Sequence, residues 1–354
     1  MKKNMEGKDG FLVRTVCYTY NHESYIIDAL KGFAVQETSF PVVYTIVDDA
    51  STDRTAEVIR EFVKGNFDLQ DASVAYEKDT DYGHVTFAQH KANRNCYFAA
   101  VYLKENHYSQ KKSKAPYLTE WMDTKYIALC EGDDYWTHPL KLQKQIDYME
   151  NHPDCCVCSH SADWEIEGEL YKGGCQYKDS RNLTTDEVIR NGGLYLATNS
   201  LVYREWLNKD QPEWRKESLV GDFPLQILGT LRGNLYFISD TMSVYRYRSS
   251  DSWTTQQLAA NDKRGGKRAT QAKNKILWMG LLDKDTNYKY TKAIHSALFQ
   301  DYYALYNWKE IGFRTYFRAA MNSDEKHFKR RVFKDFLIRT FNSIYKVWKT
   351  QAEQ

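Results

Sequence analysis

Glu131, Asp133 and Asp134 crowd into the stretch CEGDDYW, residues 130–136, directly after the apolar run 126–129. Three carboxylates this close repel one another and resist losing water, so they need a cation or strong donors beside them. Oxygen ligands suit a hard divalent ion, Mg2+ or Mn2+, which also takes oxygens of a diphosphate. The competing interpretation is a turn in which an acid caps the helix after Pro139. Asp48 and Asp49 likewise follow an apolar run, PVVYTIV, and Asp222 stands after Gly221 at the head of FPLQILGTLRG. Each of these three also fits a plain helix-capping role.

Positioning such acids calls for strands that end where they stand. FLVRTVCYT (11–19), PVVYTIVDD (41–49), SVAYEK (73–78) and KYIALC (125–130) have strand composition. Helical segments are expected between them, from Ser24 to Phe33, from Asp53 to Lys64 and over 87–105, with Ser51, Thr52 and Asp53 offering capping oxygens to the second. Strands separated by helices predict an α/β fold with a mostly parallel sheet, Rossmann-like, flanked by helices, and a ligand site at the carboxyl ends of the strands. YTYN (18–21), VDDAS (47–51) and EGDD (131–134) all lie at such ends, so three distant segments converge on one crevice.

The polar stretch 106–124 is an insertion to which the sequence attaches no role. Further on, helices are expected over 139–149, 185–190 and 222–231 and strands over 155–162 and 198–204. LYFIS and TMSVYRYR follow as two strands, and helical pattern runs from about 254 onward, dividing the chain into 1–254 and a C-terminal helical region 255–354.

At 354 residues the chain can bury a large core. Net charge is +2, but residues 261–354 carry +11 and residues 1–260 carry −9, so the two parts do different work. Cys155, Cys156 and Cys158 lack the spacing of a zinc site and read as reduced thiols of a core strand. MKKNMEGKDG has no apolar leader, and no run approaches the ~18 apolar residues of a membrane span, which places the chain in the cytoplasm.

In this order and context YTYN, VDDASTDRT, YIALCEGDDYW and GDFPLQILGTLRG resemble the inverting family 2 glycosyltransferases of the GT-A fold, especially bacterial members of surface-polysaccharide synthesis. The resemblance covers about residues 11–254. It implies a metal-dependent transferase that moves a sugar from a nucleotide sugar, a UDP-sugar above all, to a hydroxyl of a glycan or lipid-linked acceptor. By family position, Thr19, Tyr20 and Asp49 hold uridine, Arg94 pairs with phosphate or with Asp49, Asp133 faces the ribose or metal, and Asp134 ligates the metal. Asp222 is implied as the base that deprotonates the acceptor. Glu131 occupies a position where many members have Asp, which leaves its role open. Trp136 suits either a sugar platform or the core, and Arg246, Arg248 or Trp253 either a diphosphate contact or a half-exposed strand.

In 327–349 the residues Phe328, Val332, Phe333, Phe336, Leu337, Ile344, Tyr345 and Trp348 recur at helical spacing beside many Lys and Arg. Such a basic helix suits the inner face of an anionic membrane, or packing on the catalytic domain or on a second subunit in a homo-oligomer. Three other classes compete with the transferase. A nucleotidyltransferase calls for a Gly-rich phosphate loop, which YTYNHES lacks. A nucleic-acid binder calls for basic residues throughout, against the net-negative first 260 residues. A non-catalytic sugar-nucleotide binder differs only in having no use for Asp222.

Overall fold

The computed structural model describes residues 10–247 and 266–338. Strands β1 (Val13–Thr19), β2 (Val42–Asp48), β3 (Phe67–Asp68), β4 (Ala75–Asp79), β5 (Gly83–His90), β6 (Cys96–Leu103) and β7 (Tyr126–Leu129) come first. β8 (Tyr135–Trp136), β9 (Cys155–Ile166), β10 (Glu169–Lys172), β11 (Arg181–Leu183), β12 (Val202–Arg204) and β13 (Asn234–Arg246) complete one sheet. The expected α/β class is present. Its centre, in the order β7-β1-β2-β6, is parallel, while β12, β5 and the outer hairpins are antiparallel. The central strands are covered on both faces, as parallel strands must be, and every residue of β2 and β6 is buried.

Helices α1 (Ile26–Ala34), α2 (Thr55–Asn66) and α3 (Lys141–Asn151) accompany this sheet. α1 forms because Ile26, Ala29, Leu30 and Phe33 repeat at 3.6-residue spacing and bury one stripe. It approaches β8 so closely that a Cβ on Gly32 would lie 2.7 Å from the Trp136 carbonyl oxygen.

Two local expectations are corrected. Residues 87–105 are not a helix but the β5–β6 hairpin, with Gln89 opposite Tyr97. The apolar run of β6 suits either structure by composition, and pairing with both β2 and β5 decides it. LYFIS and TMSVYRYR form one strand, β13, which absorbs its polar middle as register shifts against β9 between Ile238 and Ser243.

Contact density divides the chain into two units: 1–184, 193–210 and 225–256 in the first, and 185–192, 211–224 and 257–354 in the second. The sheet belongs to the first. The second contains α4 (Thr185–Asn191), α5 (Glu213–Lys216) and the first residues of α6 (Asp222–Arg232), with α7 (Gly266–Asp285), α8 (Thr291–Asn307), α9 (Phe313–Asn322) and α10 (326–338). Its grouping is discontinuous because two short segments hold to the C-terminal helices by specific contacts. Arg190 bridges Asp186 and Asp324, and Trp214 stacks on Trp278 while donating to Asp285. Phe299, Tyr316, Ala320, Phe328 and Val332 form a core of this unit.

The basic tail is thereby partly assigned. Phe328 and Val332 point into that core, whereas Phe333, Phe336 and Leu337 are exposed; Ile344, Tyr345 and Trp348 lie outside the described residues. Among the described residues no helix is long and apolar enough to cross a membrane.

Candidate functional site

The loops after β1, β2 and β7 meet at the carboxyl end of the parallel centre. Their main chains are stitched together: Asp49 N–H donates to the Thr19 carbonyl at 2.9 Å, and Gly132 N–H to the Tyr18 carbonyl at 2.9 Å. Asn21, at φ 54°, receives the Thr52 N–H on its side-chain oxygen at 2.9 Å and donates its own N–H to Ser51 Oγ at 2.9 Å. Gly132 is demanded by space, since a Cβ there would lie 2.5 Å from Thr19 Oγ1. Asp48 turns back on Ser51, whose N–H and hydroxyl it accepts, and burial pushes its carboxyl above the usual range. Asp53 accepts the Thr55 N–H at 2.9 Å at the start of α2, the capping task expected of it.

Asp134 is the most isolated acid of the cluster. It is 1% exposed; Oδ1 accepts the Arg246 N–H at 2.9 Å, and Oδ2 has no hydrogen-bond partner among the described residues. Burial pushes its carboxyl well above the ordinary range, with Asp133 and Glu131 adding to the rise. Thr19 Oγ1, also buried, lacks a partner among the described residues. A buried carboxylate oxygen left open in this way suits a hard cation that completes its shell with substrate phosphates. Asp134 therefore fits the expected Mg2+ or Mn2+, with Asp133 beside it. Among the described residues no group of three or more His, Cys, Asp or Glu could hold a metal without such help.

Arg246 clamps this motif instead of reaching for a diphosphate. Its guanidinium bonds to the Asp133 carbonyl at 3.0 Å, to Asp28 at 2.6 Å and to Glu165 at 3.2 Å, and it lies against the rings of Tyr25 and Tyr135. Arg248 and Trp253 lie outside the described residues. Trp136 belongs to the core, 2% exposed, against Phe33 and Tyr44, and is no sugar platform.

Asp49 is occupied by the 106–124 insertion. Oδ1 accepts the His107 N–H at 2.8 Å, and Oδ2 accepts the Tyr108 N–H at 3.0 Å and the Lys114 ammonium at 3.0 Å. Hydrogen bonds to a charged group contribute about 1.5–3 kcal/mol each, so this is a strong anchorage. No local signal announces it, because the partners lie 58 or more positions downstream.

Arg94 is misplaced by the family assignment. It stands before β6, at the end where Val42 pairs with Cys96, whereas the site is at the end where Asp48 pairs with Tyr102. Six strand residues separate those ends by about 20 Å. Its guanidinium bonds to Gln89 instead. Tyr20 is half-buried just beyond β1. Asp222 opens α6 within the second unit, where its carboxylate accepts the Phe223 N–H at 2.8 Å.

Residues 16–84, which include the β1 and β2 loops, match the family model described as glycosyl transferase family 2. Over these residues the chain is similar to family 2 glycosyltransferases. Over 247 residues the chain is 32% identical to the uncharacterized proteins Rv1520 of Mycobacterium tuberculosis (strain ATCC 25618 / H37Rv) and Mb1547 of Mycobacterium bovis, covering 67% of this chain and 59% of each relative. The chain thus spans less than two thirds of these curated relatives. Among solved structures, TarS 1-349 of S. aureus in complex with UDP-GlcNAc aligns at TM-score 0.49 and 15% identity, over 90% of this chain and 87% of that one. The mannosyltransferase PcManGT of Pyrobaculum calidifontis, in complex with GDP-Man and Mn2+, aligns at 0.49 and 12%, over 97% and 84%.

Proposed function

We propose that this family 2 chain is an inverting glycosyltransferase that moves a sugar from a nucleotide sugar, a UDP-sugar, to a hydroxyl of a glycan or lipid-linked acceptor in surface-polysaccharide synthesis. The carrying observation is Asp134: a buried carboxylate at the carboxyl end of the parallel centre, one of whose oxygens has no hydrogen-bond partner among the described residues. Thr19 and Tyr20, on the β1 loop, border the donor, and Asp133 sits against its ribose or metal. A Mg2+ or Mn2+ ion held through Asp134 would neutralise the charge that collects on the departing diphosphate.

Asp222 takes the proton of the acceptor hydroxyl. The freed oxygen attacks the anomeric carbon from the face opposite the diphosphate, the C–O bond to the nucleotide breaks with its electron pair, and configuration inverts. The base must stay ionised and reach the hydroxyl. Arg246 holds the Asp133 carbonyl and Oδ1 of the Asp134 side chain, so that the other oxygen of Asp134 keeps its place.

A thermal-shift screen of nucleotide sugars with and without Mn2+ tests this, since a ligand of the folded state raises the melting temperature. UDP-sugars are expected to give a shift that depends on Mn2+ and disappears in Asp134→Asn. A Mn2+-dependent shift with a different nucleotide alone would reassign the donor, and an undiminished shift in Asp134→Asn would remove the metal role of this residue.

A further inference from the structure

The 106–124 insertion has a function that its sequence does not declare, and Asp49 supplies the clue. The side chain of Asp49 is 3% exposed, and both of its oxygens are taken from within the chain, by the His107 and Tyr108 N–H groups and the Lys114 ammonium. The Asn106 amide adds a bond to the Asp49 carbonyl at 3.1 Å. A carboxylate has about four acceptor sites, and three are filled here by donors of the protein itself. The imide N–H of a uracil brings one donor to a side chain that the insertion already covers, so reaching the remaining site would mean lifting the insertion off it, with the loss of several bonds, at least one of them from a charged donor. That exchange runs uphill.

The same contacts place aromatic surface at the carboxyl end of β1. Lys114 is 13% exposed in its side chain, and its ammonium stands 5.1 Å from the ring centroid of Tyr18 and 5.8 Å from that of Tyr108. Tyr108 is 57% exposed, while its own N–H is fixed on a buried acid. An exposed ring face beside a held cation is a stacking platform for a flat heterocycle.

We propose that Asp49 is a positioning residue that anchors the insertion, and that the insertion presents Tyr108 as the ring on which the donor base stacks. Base selection then rests on the insertion and not on an Asp49–imide hydrogen bond. This builds on the nucleotide-sugar function proposed above, and its test separates the two.

Calorimetric titration of the full chain with UDP and with N3-methyl-UDP, which lacks the imide proton, is the first arm. Both are expected to bind within about twofold of each other, and a loss of tenfold or more on methylation would overturn the proposal. Tyr108→Ala is expected to weaken UDP about tenfold, in line with lost stacking; unchanged affinity would refute the platform. The second arm is hydrogen exchange on the nucleotide-free chain, in which Asp49→Asn and, independently, Lys114→Met are expected to speed exchange at the His107 and Tyr108 amides. Unaltered protection in both would refute the anchor. Should UDP fail to bind the unaltered chain, the donor assignment falls, and the exchange arm still decides the anchor.

Discussion

The Arg246 N–H donates to Asp134 Oδ1 at 2.9 Å, joining residues 112 positions apart. The last residue of β13 thus fixes one oxygen of Asp134, and among the described residues the other has no partner. The guanidinium of the same residue holds Asp28, Glu165 and the Asp133 carbonyl, so one side chain ties β13 to α1, β9 and the motif loop.

Arg246→Ala should therefore act on stability and on the motif together. Removing one partner of a buried charge network costs about 3–5 kcal/mol, and the partial exposure of Asp28 and Glu165 lowers this to about 2–3. Chemical denaturation is expected to show that loss along with weaker Mn2+ binding. A fully stable variant with intact Mn2+ affinity contradicts the clamp.

Gly132→Ala probes how tightly the acid loop lies on β1. The new methyl would meet Thr19 Oγ1 at 2.5 Å and Thr19 Cβ at 2.6 Å, both close to rigid backbone. Overpacking of this kind costs about 1–3 kcal/mol and displaces the loop. The melting temperature should fall and the Mn2+-dependent nucleotide shift should vanish with it; retention of both would mean that the loop has slack.

Lys141 offers a pH signature. It is 0% exposed, donates to Gln145 at 2.8 Å and stands 4.1 Å from the Trp136 ring centroid; burial pushes it from 10.5 down to about 7. Between those values the unfolded chain holds a proton that the folded one lacks, so stability rises with pH, by at most about 1.4 kcal/mol per unit. Below pH 7 both states are charged and the slope disappears. Urea unfolding at pH 6, 7.5 and 9 should show this limb in the unaltered chain and not in Lys141→Met. Parallel pH profiles for the two would mean that the ammonium stays charged.

Asp222→Asn separates a transferase from a non-catalytic binder. Loss of a general base lowers turnover by about 10²–10⁴, while UDP affinity should stay within about twofold. Turnover equal to that of the unaltered chain would assign the base elsewhere.

Much of the first unit is legible in the chain itself. Alternating apolar runs and polar ends predict β1, β2 and β7 and the acids that follow them, because strand burial and turn chemistry are local. The β5–β6 hairpin is not legible, since the apolar run of β6 is compatible with helix until two neighbouring strands claim it. Arg94 fails for a related reason. A role carried over by family position says nothing about which end of a strand the residue occupies in this chain, and a reversal of chain direction moves it the full length of the sheet.

Residue type and order alone were enough to predict the acid motif, the strand ends that carry it and the placing of Cys155, Cys156 and Cys158 as free thiols in a core strand. Tertiary structure alone decided that Asp134 keeps one oxygen without a partner among the described residues, that Arg246 turns inward, and that Asp49 is bound to the insertion. The reason is physical: chemical capacity resides in a side chain, but whether that capacity is spent or available depends on partners that only folding brings within hydrogen-bond reach.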